Sequence, residues 1–307
     1  MTNTKESPKP IDPQASKDHS QQREIERFYT KLRREIVSAA TAAFVAGSRM
    51  SRLSNEDGLG IALKDIPSLP FNRWVGLGID RPASEQSVAQ VVDWMTANAN
   101  DLWSIDITPA ALPLSLRIWL EDRGFRAVPG GFATFWRDAA PMRQACKTRF
   151  TVRRIELGDA DLSGTVAISG FEMPHNFGSW MSSLVGRPGW HIYIAFQDSV
   201  PAGSAAMFIE SGMAWLGIDS TVPAFRQQGL QNALLAQRIQ DASSFEAKLL
   251  TIETVHPQQA DSPDASYRNV LRAGFKLSHI RRHYVRKIGR PIVFPDCAGE
   301  PISPGQG

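Results

Sequence analysis

The chain has 307 residues, of which 42% are hydrophobic and 21% charged, a composition typical of a globular protein with a sizeable core. Its net charge of +3 is too small a surplus to indicate a nucleic-acid partner. The two cysteines, Cys146 and Cys297, lack metal-ligand spacing, which argues against a disulfide framework and against a bound metal. We therefore expect a cytoplasmic protein with reduced thiols.

The amino-terminal stretch, residues 1–20, is polar and contains prolines, so we expect it to be a disordered tail. Basic residues at 31–34 precede an apolar run that ends at Met50, a charge pattern also found in signal peptides. Polar and charged residues fill the whole stretch upstream of this run, and the run is too short to span a bilayer. We interpret it as an amphipathic first helix and expect no membrane partner.

Between this tail and a second flexible tail expected over residues 289–307, the chain falls into two pieces separated by a proline-containing seam at 138–142. In the second piece, alternation predicts strands and a period of 3.6 predicts helices. The predicted strands are 150–156, 191–197, 203–210, 214–222, 248–255 and 276–286, and the predicted helices lie within 159–186, 228–242 and 263–273. Mixed order with local hairpins predicts an α+β fold, with a mixed, mostly antiparallel sheet flanked by helices.

The two pieces also resemble each other, because three pairs of segments match in the same order. The pairs are WVGLGID (74–80) with AWLGID (214–219), residues 103–107 with 250–254, and Gly124-Phe125 with Gly274-Phe275. Such agreement indicates duplication, and we predict tandem domains over 21–140 and 148–288. The copies differ at one loop, where the second has RQQGLQ (226–231) and the first has Arg81–Ser87 without a glycine.

The loop at 226–231 lies between a predicted strand broken by Pro223 and a predicted helix. The first turn of a helix leaves backbone N–H groups unpaired, and the helix dipole favours an anion there, most often a phosphate. Gly229 lets the backbone approach an oxygen without a Cβ in the way, and Arg226 adds a fixed positive charge. The sequence therefore predicts a phosphate-binding junction.

The pattern R-x-x-G-x at 226–230 resembles motif A of the GCN5-related N-acetyltransferases (GNAT), and ASYRNVLRAGF (265–275) resembles their motif B. This resemblance covers about residues 150–287, and the first copy resembles a degenerate version. It implies an acyltransferase that moves an acetyl group from acetyl-coenzyme A (acetyl-CoA) to a primary amine, with one working half. The sequence departs from motif A at Gln231, where the family has a small residue.

The resemblance implies a set of cofactor-binding residues around this junction. A bulge expected near 220–222 would free the backbone of Thr221 and Val222 for the thioester, and Asn269 would contact the pantetheine arm. The loop and first helical turn would bind the pyrophosphate through Arg226, Gln227, Gln228, Gly229, Leu230, Gln231 and Asn232. A side chain at Gln231 would either crowd the phosphate or point outward and cap the helix.

Catalytic residues are less clearly indicated, because Trp215 occupies the position at which certain family members carry a glutamate. Candidates for the general base are Asp219, which shares the face of that position, and Glu253 on the next strand. The structural alternative for Asp219 is a hydrogen bond that closes the turn, and that for Glu253 is a solvated position at the end of the strand. The family's acidic tyrosine corresponds to Val270, so Tyr267, one turn earlier, is the candidate acid, with simple packing as the alternative.

The acceptor pocket would, by analogy, be lined by the aromatic stretch 174–190, which contains His175, Trp180 and Trp190; these tryptophans could equally be core residues. The basic strand 279–287 would either face the cofactor's 3′-phosphate or be solvated. The leading hypothesis is an N-acetyltransferase for a small amine. The alternatives are an enzyme for protein or peptide amines and a non-catalytic acyl-CoA sensor. The sequence does not indicate the oligomeric state.

Overall fold

The computed structural model describes residues 13–142, 148–257 and 264–286. Both cysteines, the predicted tail 289–307 and residues 1–12 of the predicted amino-terminal tail lie outside these ranges. Helix α1 (Pro13–Ser38) begins inside the stretch that we expected to be disordered. Residues 13–20 are helical because helix formation is cooperative. The later turns of α1 pack into the core, and each further residue adds a hydrogen bond to a helix that already exists.

The first half of the chain contains helices α1 to α4 and strands β1 to β6. Its helices are α1 (Pro13–Ser38), α2 (Ala42–Gly47), α3 (Glu85–Asn98) and α4 (Leu116–Asp122). Its strands are β1 (Met50–Asn55), β2 (Gly58–Leu63), β3 (Asn72–Val75), β4 (Ser104–Ile107), β5 (Phe125–Ala127) and β6 (Phe132–Asp138). The apolar run that ends at Met50 is therefore helical up to Gly47, as expected, although a turn divides it into two helices.

The second half contains helices α5 to α8 and strands β7 to β12, close to the predicted positions. Its helices are α5 (Ala160–Phe171), α6 (Phe177–Ser182), α7 (Leu230–Ser244) and α8 (Ala265–Arg272). Its strands are β7 (Thr151–Arg154), β8 (Trp190–Gln197), β9 (Val200–Glu210), β10 (Met213–Thr221), β11 (Leu249–Val255) and β12 (Lys276–Arg286). None of the described helices has the length and hydropathy needed to cross a membrane.

Nearly all described strand pairs are antiparallel, and only β3–β4 and β10–β11 are parallel. The β8–β9 hairpin turns at Asp198 and Ser199, which both have positive φ, as a tight two-residue hairpin turn requires. The sheet runs in the order β1-β2-β3-β4-β12-β6-β11-β10-β9-β8-β7, with β5 also paired to β12. The predicted fold class, a mixed and mostly antiparallel sheet flanked by helices, is confirmed.

The two halves exchange their last strands. Strand β12, from the end of the second half, pairs with β4 of the first half, and β6, from the end of the first half, pairs with β11 of the second. Strands β12 and β6 also pair with each other, so one continuous sheet joins the halves. Each half therefore completes the sheet of the other, and we expect neither to fold alone.

The order of elements repeats in the way that the sequence duplication predicts. Each half has a helix pair, three strands, a helix, a strand, a helix and a final strand, and β5 in the first half and β7 in the second are additional to this order. Gly124 and Gly274 follow equivalent helices, and both have a φ of +84°. The boundaries 21–140 and 148–288 remain our proposal for the duplicated units.

Three apolar cores hold the layers together. One lies between the sheet and helices α3 and α4, and a second lies between the sheet and helices α7 and α8. The third is shared by both halves, since Phe28 and Leu32 of α1 belong to the same cluster as Trp180 and Trp215. Helix α1 thus covers the face of the sheet that is opposite to α7 and α8, which fixes the two sides of the site described next.

Candidate functional site

Strands β10 and β11 run side by side for only part of their length. They pair in parallel at 213–216 opposite 249–252, and no pairing between them continues beyond these residues in the described strands. A bulge in β10 interrupts its register with β9 between Gly217 and Ser220, with Ile218 at a φ of +53°. The strands therefore part toward their carboxyl ends, in the place where the family resemblance implied a gap.

The bulge lies at 217–220, earlier than the expected 220–222. The indole of Trp215 occupies the space that a Cβ at Gly217 would need, which shapes the chain at that point. Pairing with β9 resumes at Ser220, whose hydroxyl lies 2.9 Å from the hydroxyl of Ser204. Neither contact is visible in the sequence, because each depends on how the strands are packed.

The two backbone groups expected to contact the thioester differ in availability. The N–H of Val222 donates to the carbonyl oxygen of Ala202 at 2.9 Å, so this amide already has a partner. Successive residues of an antiparallel strand direct their polar backbone groups to alternate sides. The N–H and C=O of Thr221 therefore point away from β9 and toward the gap. Of the two residues, Thr221 fits the expected role.

The loop after β10 presents a row of open backbone amides. Gln227 and Gly229 have positive φ values of 60° and 81°, and Gly229 is the N-cap of α7 without a side-chain cap. In the described part of the chain, the backbone N–H groups from Gln227 to Asn232 donate no hydrogen bond. A Cβ at Gly229 would have no heavy atom within 4 Å, so the space in front of these donors is open. The helix dipole adds to their attraction for an anion.

The equivalent junction of the first half is closed. The Ser84 hydroxyl accepts from the N–H of Ser87 at 3.0 Å, and the Ser87 hydroxyl accepts from the N–H of Ser84 at 2.8 Å. The N–H of Ala83 donates to the carbonyl oxygen of Leu112, whose own N–H donates to that of Gly78, in the turn after β3. The chain at Leu112 thus occupies the space beside Gly78, and of the amides from Ala83 to Ser87 only those of Glu85 and Gln86 have no partner among the described residues.

Arg226 does not direct its side chain toward these open amides. Its Nη2 donates to the carbonyl oxygen of Gly170 at 3.2 Å and lies 3.5 Å from a carboxylate oxygen of Glu172. The guanidinium therefore contacts the carboxyl-terminal end of α5, which fixes the loop against that helix. Gln228 likewise bonds within the loop, through its Nε2 and the carbonyl oxygen of Ala224. Both side chains thus have partners within the protein, whereas the backbone amides of the loop remain open.

Gln231 neither crowds the open amides nor caps α7. Its Nε2 donates to the hydroxyl of Ser266 at 3.0 Å, and its Oε1 accepts from the amide of Asn269 at 2.7 Å. The oxygen of Asn269 in turn accepts from Arg272. Gln231 and Asn269 therefore join α7 to α8, so the amide of Asn269 is already used within the protein.

Replacing Gln231 with alanine is expected to leave acetyl-CoA affinity within about threefold of that of the unmodified protein, because the side chain points away from the loop amides. The loss of its two hydrogen bonds to α8 should lower the free energy of unfolding by about 1 kcal/mol. Calorimetric titration and urea unfolding measure the two effects. A large gain or loss of affinity would show that the side chain reaches the phosphate.

Asp219 serves as the counter-ion of a buried arginine. Arg238 of α7 is fully buried, and its guanidinium contacts both carboxylate oxygens of Asp219, with 3.1 Å between Nη1 and Oδ2. A buried guanidinium needs such a partner, so the carboxylate has a structural task. The bulge at 217–220 turns Asp219 toward α7, opposite to Trp215 in the cluster with α1, so the expected shared face was wrong and an ion pair takes the place of the expected turn-closing hydrogen bond.

Glu253 lies where β11 separates from β10, on the face of the sheet that α1 covers. One carboxylate oxygen accepts a hydrogen bond from Arg281 of β12, which also binds Glu26 of α1 at 2.6 Å. The other oxygen of Glu253 has no hydrogen-bond partner among the described residues. The side chain is 12% exposed, so a solvated strand end does not describe it.

Tyr267 lies on the opposite face, in the first turn of α8. Its ring packs edge-on against Phe135 at 5.0 Å, and the ring of His256 at the end of β11 lies 6.4 Å away. The hydroxyl of Tyr267 has no hydrogen-bond partner among the described residues. Burial and the charge of Arg282 lower the pKa of His256, which favours the neutral imidazole. The parted strands thus have a carboxylate on one face and a phenol and an imidazole on the other.

The basic strand β12 corrects the sequence interpretation most clearly. We expected it to be solvated or to face a phosphate, whereas His279, Arg281 and His283 are all buried. His279 donates to Glu26 at 2.6 Å, and His283 lies 2.6 Å from Asp106 of β4. The alternation was correctly identified, but the carboxylates that make burial of these side chains possible lie about 180 to 250 residues away in the chain.

The aromatic stretch 174–190 contributes mainly to the core. Trp180 and Trp190 are buried in the cluster that both halves share, and the indole N–H of Trp180 donates to Ile36 of α1 at 2.7 Å. His175 is exposed. The alternative in which these tryptophans are core residues therefore fits, and α1 occupies much of the face on which we expected an acceptor pocket.

Comparison with solved structures shows which known proteins share the fold of this chain. No family model and no curated protein sequence match the chain. A GCN5-related N-acetyltransferase from Kribbella flavida matches in structure with a TM-score of 0.54 at 17% identity, over 82% of this chain and 95% of that chain. One from Sphaerobacter thermophilus matches with a TM-score of 0.54 at 16% identity, over 80% and 78%. An acetyltransferase of the GNAT family from Colwellia psychrerythraea gives 0.52 at 12%, over 76% and 82%.

These matches cover most of both chains in each comparison. The chain therefore has the fold of the GCN5-related N-acetyltransferases. The resemblance carried by motifs A and B is confirmed for the fold. At identities of 12–17%, the donor, the acceptor and the catalytic residues are matters for proposal.

Proposed function

We propose that the protein is an N-acetyltransferase that transfers the acetyl group of acetyl-CoA to the primary amine of a small molecule, and that only its second half binds the donor. The observation that carries this proposal is the row of open amides from Gln227 to Asn232, which lies at the end of the parted strand β10. The closed junction at Ser84 supports the restriction to one half.

The amides at the amino terminus of α7 would bind the diphosphate of acetyl-CoA, as backbone donors at helix termini do in many phosphate sites. Leu230 is buried, so the first turn of α7 is anchored in the core while its N–H groups face outward. The pantetheine arm would then lie between β10 and β11, with the N–H of Thr221 donating to the thioester oxygen. No side-chain charge is required for this mode of binding.

The reaction needs a base and an acid on opposite sides of the thioester carbon. The amine nitrogen attacks the carbonyl carbon, the carbon–sulfur bond breaks, and the thiolate receives a proton. Glu253, on the α1 face, would accept the amine proton through a water molecule bound to its unpartnered oxygen. Tyr267, on the α8 face, would donate its proton to the leaving thiolate. Asp219 takes no part, because Arg238 occupies both of its oxygens.

Glu253→Gln is expected to reduce the turnover number about 100-fold, because the amide cannot accept the amine proton. Tyr267→Phe should reduce it about tenfold, since a thiolate leaves readily without an acid. Neither change should weaken acetyl-CoA binding. Thiol release in the presence of an accepted amine measures turnover, and calorimetry measures binding. Equal activity of Glu253→Gln and the unmodified enzyme would exclude the carboxylate as the base.

Two alternative functions share the same donor site. A protein or peptide amine could be the acceptor, and thiol release with peptides in place of small amines distinguishes this case. A sensor that binds acyl-CoA without turnover is the other alternative, favoured by valine at 270, where the family has its acidic tyrosine. Binding of acetyl-CoA without thiol release for any amine would support the sensor.

The first experiment is a titration of acetyl-CoA while thermal stability is followed. A ligand that binds the folded state raises the midpoint by mass action, so millimolar acetyl-CoA should raise it clearly. We also propose that the protein is cytoplasmic, as expected from the sequence. If millimolar acetyl-CoA leaves the midpoint unchanged, both the enzyme and the sensor are excluded.

A further inference from the structure

Helix α1 crosses the sheet with three polar residues aligned on one side of the helix. Glu26, Tyr29 and Arg33 follow one another at spacings of three and four residues, which align them on successive turns. Glu26 binds Arg281, and the hydroxyl of Tyr29 accepts a hydrogen bond from Arg73 of β3 at 2.9 Å. A helix of the first half thus supplies polar groups beside Glu253 of the second half.

The guanidinium groups of this cluster differ in their partners. Arg73 forms an ion pair with Asp106 at 3.0 Å, and Arg281 forms ion pairs with both Glu26 and Glu253. Arg33 forms no ion pair and donates no hydrogen bond within the described part of the chain, and its Nε is fully shielded from solvent. Arg33 is therefore the member of the cluster whose charge has no carboxylate partner.

Leaving a guanidinium unpaired in a shielded place is unfavourable, because it loses hydration without gaining a counter-ion. Burial lowers the pKa of Arg33, and the positive charges of Arg73 and Arg281 also lower it, whereas Tyr29 and Glu253 act in the opposite direction without reversing the shift. The residue as a whole is only half-buried, although its Nε is shielded from solvent. An anionic group bound there would supply the missing partner.

The surroundings of Arg33 connect this position to the proposed reaction. Its guanidinium lies close enough to the carboxylate of Glu253 and to the phenol of Tyr29 to interact with them. Thr134 of β6 pairs directly with Glu253 across the sheet, and its hydroxyl is also buried without a hydrogen-bond partner. Unsatisfied donors and the candidate base thus meet on the face from which the amine would approach.

We infer that Arg33 binds an anionic group of the acceptor, so that the substrate is a small amine that also carries a carboxylate or a phosphate. This inference rests on the proposed function, since it assigns a substrate class to the same site. Arg33 would donate two parallel hydrogen bonds to the anionic group, and the amine of the same molecule would then reach Glu253. The first half, through α1, would take part in substrate selection although its own donor junction is closed.

The test compares amines that differ only in the anionic group, with tyrosine against tyramine and phosphoethanolamine against ethanolamine. Each compound is titrated against the protein saturated with coenzyme A, and the thermal midpoint is followed. At least one anionic member should bind more tightly than its neutral counterpart. In Arg33→Met, the affinity for that member should fall about 10- to 100-fold, whereas the affinity for the neutral amine should change less than about threefold.

The neighbouring variant Arg34→Met is the matched control, because it removes the same charge from α1. Arg34 donates instead to the hydroxyl of Ser54 and to the carbonyl oxygen of Asn55, away from Glu253. It should leave the preference for anionic amines intact. Arg33→Met should not lower the midpoint without ligand, because it removes a charge that has no partner.

Three outcomes would overturn the inference: no amine of either pair binds, both members of each pair bind equally, or Arg33→Met retains the preference for the anionic member. The proposed function is tested separately, by the shift that coenzyme A causes in each variant. If coenzyme A raises the midpoint but the preference does not depend on Arg33, only the inference fails. If coenzyme A has no effect and anionic amines still require Arg33, the donor proposal fails and the anion site stands.

Discussion

Replacing Gly229 with aspartate is expected to weaken acetyl-CoA binding by about 1,000-fold or more. The new carboxylate would lie beside the amides from Gln227 to Asn232 and would repel a diphosphate bound there. Two like charges about 4 Å apart near a protein surface repel by about 4 kcal/mol, which corresponds to roughly three orders of magnitude in affinity. The φ of 81° at this position adds backbone strain for any residue other than glycine. Calorimetric titration with acetyl-CoA measures the loss.

The matched control is Gly124→Asp in the first half. Gly124 has a φ of +84°, and its Cβ position, like that of Gly229, has no heavy atom within 4 Å. Both variants therefore carry the same strain and the same added charge, and they differ in location, since Gly124 follows the carboxyl-terminal end of α4 and lies at neither strand-to-helix junction. Changes within 81–87 should also leave binding intact. Equal losses of affinity from Gly124→Asp and Gly229→Asp would contradict the assignment of the site to α7.

Replacing Arg281 with methionine should lower the free energy of unfolding by about 3–5 kcal/mol. The change leaves Glu26 and Glu253 without the guanidinium that binds them both, and a buried carboxylate without its partner is strongly destabilising. The side chains of Arg281 and Glu26 are each 1% exposed, so water cannot replace the lost contact. Unfolding in urea measures the effect, and Arg34→Met serves again as the control, with an expected change within about 0.5 kcal/mol.

Because Glu26 is ionised in this network, the free energy of unfolding should depend on pH. Burial raises the pKa of Glu26, but Arg281 and His279 outweigh burial and lower it to about 2, against an ordinary value of 4.5. Because the folded-state pKa is lowered, the stability that Glu26 contributes is complete above pH 4.5 and is lost as the pH falls toward 2. The difference in stability between the unmodified protein and Glu26→Gln should shrink over this range.

If Arg281→Met lowers the free energy of unfolding by less than about 1 kcal/mol, the network does not hold the halves together.

Local sequence patterns were sufficient to predict the strand, the loop and the helix that form the donor junction. The apolar run ending at 222, the single glycine at 229 and the periodicity of the following helix are all encoded within about 30 consecutive residues. The structure places these elements close to the predicted positions, and Gly229 has the positive φ that explains its selection. For this junction, intrinsic preference and tertiary structure agree.

Features that depend on distant contacts could not be predicted. The exchange of β6 and β12 leaves no mark in the sequence, because an exchanged strand has the same alternation as one that stays in its own half. The burial of Arg281 depends on Glu26, which lies 255 residues away in the chain. His256 and Arg33 were missed for the same reason, since their surroundings come from other elements. An arginine at helical spacing from Glu26 and Tyr29 was the available signal for Arg33.

Side-chain direction was the second source of error. The sequence places Arg226 and Gln231 beside the phosphate loop, and both lie there. Their side chains nevertheless turn to neighbouring helices, Arg226 to the end of α5 and Gln231 to α8. The polar residues of the loop therefore fix its shape, while its amides remain open for a ligand.

Calorimetric titration of the full-length protein with acetyl-CoA tests the central claim most directly, because it reports both affinity and stoichiometry. The open junction at Gly229 and the closed junction at Ser84 together require one site per chain, which Gly229→Asp removes and changes within 81–87 preserve. Two sites per chain, or no heat of binding at millimolar acetyl-CoA, would contradict this account.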